Sequence, residues 1–503
     1  MLPIGIDLGT TSSVIAYFDG KKPVVIPNMF HRTRTPSKVI ISPEGKFYVG
    51  EKAESYVGKY EADNFTVGSI KRLIGRKSQI IYGGKKHYPQ VILAMIFADL
   101  KRQAEKFLKQ KIDTAVVCIP CNYGVLQRQA TLEAAEMAGL KVIRILNEAT
   151  AAALAYNFLS GFEFQGEELI FDLGGGTLDI SVIDYGEGVL AVKGVEGNDM
   201  LGGDDFDEKI IEYIVEYAKK THNFDPIEDQ MFGWGNVARL RIAETAEKAK
   251  KDFSQATSAK IYLPYIRNIL GKFEHIDFEF DYNIFERICA PLTNDILKTF
   301  ETAVKEFLLA KARIVFTGGG SKIKCVKDAI LNKYHNFTYI TREKELVALG
   351  AALQAAIMSG QCNNILLLDV TARSIGIALK DNKYKKIIPK NTTLPTQKSD
   401  IFTTTVDDQR NLSVMIYEGE NEKANKNNLL VEYEFGPLPQ AKAGELNVKI
   451  IFDMDANNIL HISVKEQTRR QTISMTRKGS PYSNMDSMIK NSVQAILERY
   501  VNN

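Results

Sequence analysis

Two hydrophobic runs in this chain end the same way, in an aspartate, a glycine-bearing turn and a hydroxyl side chain. The first is Ile6-Asp7-Leu8-Gly9-Thr10-Thr11, followed by the apolar-rich run Val14-Ile15-Ala16-Tyr17-Phe18. The second is Phe171-Asp172-Leu173-Gly174-Gly175-Gly176-Thr177, followed by Leu178-Asp179-Ile180-Ser181-Val182-Ile183. Short runs of this kind predict strands, so each unit reads strand, turn, strand. Its use twice predicts two similar lobes facing one another.

Helical spacing fills the intervals. Pro89 precedes a predicted helix from about Gln90 to Lys111; a second runs from Leu126 to Ala138 and stops at Gly139; a third, rich in alanine, runs from Asn147 to Phe158. Residues 168–360 repeat the theme with longer helices, Asp205 to about Thr221 and Val237 to Phe253. Another glycine turn, Thr317-Gly318-Gly319-Gly320-Ser321, follows the predicted strand Ala312–Phe316. Near residue 362 the texture changes. After Ile365-Leu366-Leu367-Leu368-Asp369 come alternating runs at 374–379, 401–405, 412–417, 429–435, 445–452, 459–464 and 471–475, the spacing of an all-β domain. A last helix is predicted from about Met485 to Tyr500. The expected division is 1–362, a linker at 363–370, an all-β unit at 371–480 and a helical end at 481–503.

Composition narrows the function classes. A net charge of +3 over 503 residues gives no basis for nucleic-acid or membrane binding. The lysine pairs are short and scattered, as on a solvated surface. Neither a secretion signal nor a run of roughly 18 apolar residues is visible. Five cysteines, an odd count, fit a reducing compartment. Cys118 and Cys121 form a lone C-x-x-C on a strand, without the second pair that zinc needs. The expectation is a cytoplasmic monomer.

The glycine turns carry the chemistry. Phosphates are held by backbone N–H groups at close range, which glycine permits. Thr10, Thr11 and Thr177 can add hydroxyl donors, and Asp7 and Asp172 stand where carboxylates can hold magnesium through water. A single D-L-G-x-T is more often a plain strand-ending turn. Two copies and the third turn at Gly318 to Gly320 favour a nucleotide cleft.

These residues, together with Ile70-Lys71-Arg72-Leu73-Ile74-Gly75-Arg76, Gln127 to Thr131, Asn147-Glu148, Leu201-Gly202-Gly203, Ala246 to Lys250, Leu366 to Thr371 and Lys390 to Thr393, resemble the heat-shock protein 70 (DnaK) chaperone family along nearly the whole chain. The resemblance implies an α/β actin-like (ribonuclease-H-like) two-lobed ATPase domain, then an all-β sandwich peptide-binding domain and one short C-terminal helix. It implies that ATP is hydrolysed by an in-line water, with Lys71 at the γ-phosphate and Glu148 near water and metal. Asp172 and Asp179 would hold the magnesium–water shell, and Asp7 would help close the site, with potassium beside the phosphates. Gly9, Thr10, Thr11, Gly174, Gly175, Gly176, Thr177, Gly202 and Gly203 would cradle phosphates. Glu247, Lys250, Lys251 and Ser254 would line the adenosine pocket opposite Gly318, Gly319 and Lys322. Pro120 and Arg128 match the family's relay, and Arg144, Asn147 and Asp369 match contacts of J-domain co-chaperones. Leu366, Leu367 and Leu368 belong to the hydrophobic linker. Ile377, Leu379, Phe402, Leu412 and Val414 would share one pocket face, under an arch at Lys380 and Thr405. The implied partners are unfolded polypeptides, a J-domain co-chaperone and a nucleotide-exchange factor.

The chain also departs from the family pattern. Ala149 replaces a proline, Val125 an aspartate near the relay, and Lys251 and Lys322 arginines at the adenine, where a lysine stacks less well. Asp204 stands where glutamate is usual and Lys344 replaces an acid. Lys380 and Thr405 replace the apolar arch, and Leu412 predicts a shallower pocket. The final helix matches only the start of the family's lid, which predicts fast peptide exchange. Two other classes stay open: an ATP-binding regulator or scaffold with weak turnover, and a small-molecule kinase on the same fold.

Overall fold

The computed structural model describes residues 2–42, 46–56, 65–76, 79–82, 85–161, 165–186, 188–228, 235–269, 272–309, 313–341, 345–362, 365–468 and 474–478. The predicted helix at 485–500 and Lys344 lie outside these residues, as does the side chain of Lys380.

Among them the chain is mixed α/β with several sheets, and the duplication is visible as strand order. In the first sheet Lys141–Asn147, Thr114–Ile119, Ile4–Asp7, Ser12–Phe18 and Pro23–Ile26 lie side by side in that order, with Thr35–Pro36 paired to Ser12–Phe18. In the second the order is Thr338–Thr341, Arg313–Thr317, Gly166–Leu173, Leu178–Gly186 and Val189–Asn198. In both, three parallel strands are followed by two antiparallel pairings. The central strand Gly166–Leu173 is buried from Glu168 onward, as expected where both faces are covered.

Two alanine-rich helices, Glu148–Leu159 and Leu346–Met358, pack together between the sheets. Small side chains let the backbones approach, and at Gly350 an added Cβ would overlap the carbonyl of Ala151. The first predicted helix spans Pro89–Leu108, shorter at its end than expected because Lys109 turns left-handed at φ 54°. The others are Val125–Met137, Gly203–His222 and Gly235–Asp252, within a few residues of expectation. Among the elements with no counterpart in the sequence reading are the helix Leu346–Met358, the hairpin Ser258–Ile269/Lys272–Asp281 and the helix Tyr282–Glu306, which carries Pro291 in its interior, where proline reads as a stop.

Beyond residue 370 the described elements are mainly antiparallel strands in two sheets. One holds Tyr384–Ile388, Ile375–Ala378, Leu412–Glu418, Asn428–Gly436 and Ser474–Lys478; the other holds Thr396–Thr403, Asn447–Met454 and Leu460–Glu466. Ile375, Ile377, Val414 and Ile416 from the first share a core with Val448, Ile450 and Phe452 from the second. The segment before this region is itself a strand. Leu366–Leu368 adds to the edge of the second lobe's sheet, parallel to Val189–Asn198, with Leu366, Leu367 and Leu368 opposite Val189, Leu190 and Ala191. Ile365 and Leu367 turn inward onto a cluster containing Phe18, Tyr185 and Leu190, while Leu366 is 55% exposed.

Candidate functional site

The strand Ile4–Asp7 ends in Asp7, and the hairpin of the second lobe sets Asp172 directly opposite Asp179, each next to the loop of residues 174–177. Two carboxylates facing across an antiparallel pair repel. Burial pushes the Asp172 carboxyl well above the usual carboxylate range, and Glu148, Asp179 and Asp7 add to it. Burial and then Glu148 raise Asp7 to about 7 and Asp179 to about 6. Lys71 pulls all of these carboxyls back down. Its side chain is 2% exposed, and its Nζ donates to Glu148 Oε1 at 2.6 Å. The centre is therefore a buried group of four carboxylates around one shared lysine.

Such an excess of negative charge calls for a cation. Asp179 Oδ1 accepts the Cys121 N–H at 2.6 Å, whereas its Oδ2 is buried with no hydrogen-bond partner among the described residues. Among the described residues no three acidic, histidine or cysteine side chains converge closely enough to ligate an ion by themselves. That fits magnesium, which keeps several waters and takes few protein ligands.

The glycine turns of the two lobes meet over this centre. An added Cβ at Gly175 would overlap Thr11 Oγ1, and one at Gly176 would crowd Thr10. The start of helix Gly203–His222 is tied to the same loop: Gly203 N–H donates to Gly174 O at 2.9 Å and Asp204 N–H to Gly175 O at 2.7 Å. Gly318 sits at φ +78° against Asp172, and a Cβ there would overlap the Asp172 carboxylate. Only glycine combines that backbone with that clearance.

The predicted adenosine residues are brought together in part. Lys250 donates to Gly203 O at 2.8 Å and pairs with Asp207 at 2.5 Å, so it braces the start of helix Gly203–His222. Glu247 pairs with Lys251 one turn on, at 2.6 Å, and Ser254 Oγ donates to Lys251 O. The space beside Gly319 is open, and Lys322 is exposed. Sequence reasoning missed Asp207. It also missed Arg72, which grips Asp205 with two hydrogen bonds of 3.1 and 2.6 Å and donates to Gly176 O, and Ser69, which donates to Asp204 at 2.6 Å. The last bond gives the shorter acid at 204 a partner.

A family model for Hsp70 proteins matches residues 3–81 and 78–499. The chain belongs to the Hsp70 family. Members of this family are ATP-binding chaperones that hydrolyse ATP with magnesium, and they bind unfolded peptides and co-chaperones. The family implies an actin-like ATPase followed by a β-sandwich, which accords with the duplicated sheets and the paired sheets after residue 370. No helix among the described residues is long and apolar enough to cross a membrane.

In this Hsp70-family chain the predicted relay residues are contiguous. Arg128, 2% exposed, donates to Tyr123 O at 3.0 Å and to Asn147 Oδ1 at 2.8 Å. Asn147 Nδ2 donates to both oxygens of Asp369, at 2.9 and 3.0 Å. Burial raises the Asp369 carboxyl, and Arg128 opposes it. Tyr123, missed from sequence, donates its hydroxyl to Lys71 O at 2.7 Å. Arg144 is also near Asp369, and Pro120 is buried at the end of strand Thr114–Ile119.

The predicted peptide-binding face is divided. Ile377, Leu412 and Val414 lie in one sheet, but Phe402 belongs to the other. This corrects the expectation of one face: alternation fixes which side of a strand a residue takes, not which sheet the strand joins. Ile377 and Val414 are buried in the core, Phe402 and Leu412 pack against it, and Leu379, beyond its strand, is 41% exposed. Thr405 is exposed, its N–H bonded to Gln409 Oε1 at 2.9 Å.

Proposed function

We propose that this chain is an ATP-driven chaperone that binds extended hydrophobic peptide segments, with the ATPase unit in residues 1–362, the linker at 363–370, the peptide-binding sandwich at 371–480 and a short helical end at 481–503. The observation that carries this reading is the buried carboxylate group around Lys71 beneath the opposed glycine loops. Phosphoryl transfer needs positioning and charge stabilisation more than covalent chemistry, and these are the parts present. Lys71 would reach the γ-phosphate and orient the attacking water, and Glu148 holds its ammonium in place. Asp7, Asp172 and Asp179 would hold magnesium, mainly through water; the ion supplies charge neutralisation on the phosphate oxygens. Potassium beside the phosphates belongs to the same reading. Gly9, Thr10, Thr11, Gly174 to Thr177, Gly202 and Gly203 cradle the phosphates. Glu247, Lys250, Lys251, Ser254, Gly318, Gly319 and Lys322 surround the adenosine.

Coupling to peptide affinity runs through Pro120, Arg128, Arg144, Asn147 and Asp369 to the linker strand Leu366–Leu368. Support for it comes from the unbroken hydrogen bonds from Lys71 through Tyr123, Arg128 and Asn147 to Asp369. The peptide would meet the sandwich at Ile377, Leu379, Lys380, Phe402, Thr405, Leu412 and Val414, residues drawn from both sheets rather than from one face. The partners are unfolded clients, a J-domain co-chaperone and a nucleotide-exchange factor, for a cytoplasmic monomer without nucleic-acid or membrane contacts.

The test is single-turnover ATP hydrolysis with and without an extended apolar peptide and a J-domain protein. Faster turnover with both is expected. Tight ATP binding with no turnover under any condition would overturn the chaperone cycle in favour of a scaffold, and phosphate appearing on a small metabolite would favour a kinase.

A further inference from the structure

Lys71 lies on a short turn that is held from both lobes. Ile70–Arg72 is a single turn of 3-10 helix entered from Ser69, which stands in the left-handed region at φ 49° and ψ 32°. That conformation is uncommon for a residue with a side chain and persists where neighbours fix it. Two of the fixings come from the second lobe: Ser69 donates to Asp204, and Arg72 to Asp205 and to Gly176 O. The third comes from the first lobe and falls on Lys71 itself. The Tyr123 hydroxyl donates to Lys71 O at 2.7 Å.

Tyr123 is itself firmly placed. It closes a tight turn that starts at Pro120, with its N–H on Pro120 O at 3.2 Å, and its carbonyl accepts Arg128 Nε at 3.0 Å. Its side chain is buried in the core of the first lobe. A phenylalanine would serve that core as well; packing alone does not call for the hydroxyl, and a buried hydroxyl without a partner costs stability. Burial, and then the Glu148 charge, push the phenol well above its usual value, so it stays a donor. The ring also faces the other end of the same lysine, with Lys71 Nζ 5.9 Å from its centroid. Lys71 is therefore held by its carbonyl on the Tyr123 hydroxyl, by its ammonium over the ring, and by its bond to Glu148 at 2.6 Å. Cys121, on the same turn, gives its N–H to Asp179 Oδ1 at 2.6 Å, so one turn bears on both the lysine and a carboxylate of the centre.

We propose that Tyr123 is a positioning residue for the phosphoryl-transfer step: its hydroxyl holds the Lys71 main chain where the ammonium meets the reacting phosphate, and it acts through Lys71 alone. The proposal rests on the ATP reading for the reaction, whereas the hold on the turn is a property of the chain without nucleotide. Tyr123→Phe separates the two parts of the side chain. It keeps the ring, the core packing and the contact with Nζ, and it removes the donor to Lys71 O. A reacting group misplaced by about 1 Å can lose roughly 100-fold in rate, and a loss of that kind falls on the chemical step rather than on affinity.

Amide hydrogen exchange on the full nucleotide-free chain reads the hold. The Arg72 and Leu73 N–H groups, bonded to Ser69 O and Ile70 O at 3.0 Å each, are expected to exchange about fivefold faster or more in Tyr123→Phe. A smaller rise overturns the proposal. Single-turnover hydrolysis of Mg-ATP at matched occupancy reads the chemistry. Tyr123→Phe is expected to slow it about 10-fold, with ATP affinity within about threefold of the parent. In a Lys71→Ala background the same substitution should change hydrolysis by less than about twofold, while it costs as much stability in urea as it does in the parent. Equal slowing of hydrolysis in the two backgrounds is the mark of a merely structural tyrosine and overturns the proposal, as does a loss of affinity with the hydrolysis step unchanged. A parent chain without ATP turnover fails the ATP reading alone, and the exchange comparison then still decides whether Tyr123 holds the Lys71 turn.

Discussion

Lys71→Ala removes the cation shared by the carboxylates of the site. In the parent its ammonium is held by Glu148 at 2.6 Å and lowers the carboxyls of Asp7, Asp172 and Asp179. Two losses follow, and they separate experimentally. Breaking a buried ion pair by deleting one partner costs about 3–5 kcal/mol when the other charge is stranded. Here the stranded charge can escape by taking up a proton, so the stability loss is largest above neutral pH and shrinks in acid. The catalytic loss is different in kind. One preorganised donor aimed at developing charge is worth about 2.7–4 kcal/mol, or roughly 100- to 1,000-fold in the chemical step. The assay is quenched-flow hydrolysis of preloaded ATP at equal occupancy, with ATP affinity measured separately. The hydrolysis step is expected to fall by roughly 100-fold or more while affinity moves by less than about tenfold. Lys71→Arg is expected to fail as well, because a planar guanidinium does not reproduce the compact ammonium's bond to Glu148. Hydrolysis within about threefold of the parent at matched occupancy would refute the placement of Lys71 at the reacting phosphate.

Gly175→Ala places a methyl against Thr11 Oγ1. ATP affinity measured by calorimetry should weaken roughly 10- to 100-fold, the cost of overpacking, and Thr11→Ala in the same chain should restore part of it. Burial raises the Asp207 carboxyl to about 6 despite its Lys250 partner. A raised acid stabilises the fold below its unfolded value of 3.8, and that contribution is lost as pH rises through about 6. In urea titrations from pH 4 to 7 the parent should lose about 2 kcal/mol relative to Asp207→Asn; parallel curves would contradict the burial. Leu367→Asp puts a charge into the cluster under the linker. Peptide should then no longer accelerate ATP turnover, while turnover without peptide continues, and exchange at Leu366–Leu368 should become fast.

The two glycine turns made the duplicated lobes legible, because a turn after a strand leaves a local signature. Lys71 could be picked out from its motif, but its Glu148 bond joins residues 77 apart, which no local period encodes. The Asp172–Asp179 opposition follows once Gly174–Thr177 is taken as a hairpin loop, since register then sets the two side by side. Phe402 shows the opposite case: its alternation was read correctly and its sheet was not. Val125 is the most instructive position. From sequence it is a lost aspartate near the relay; in the structure it meets the β core, and the acid at that joint is supplied by Glu418 from the other side. Which surface a helix start faces depends on tertiary packing that periodicity does not carry.

The linker strand can be weighed against the forces that move it. Ordering Ile365 to Leu368 costs about 1–2 kcal/mol per residue in backbone entropy, or roughly 4–8 kcal/mol. Ile365 and Leu367, both half-buried, recover at most about 1.5–3 kcal/mol each, and the hydrogen bonds gained on the sheet edge add about 1 kcal/mol apiece. The two sides nearly cancel. A strand so balanced responds to any ligand whose affinity for the two lobe arrangements differs by a few kcal/mol. Asp369, held by Asn147, ties this strand to the residue preceding Glu148. On the proposed reading, a shift at the carboxylate centre would act on an element with almost no net stability of its own.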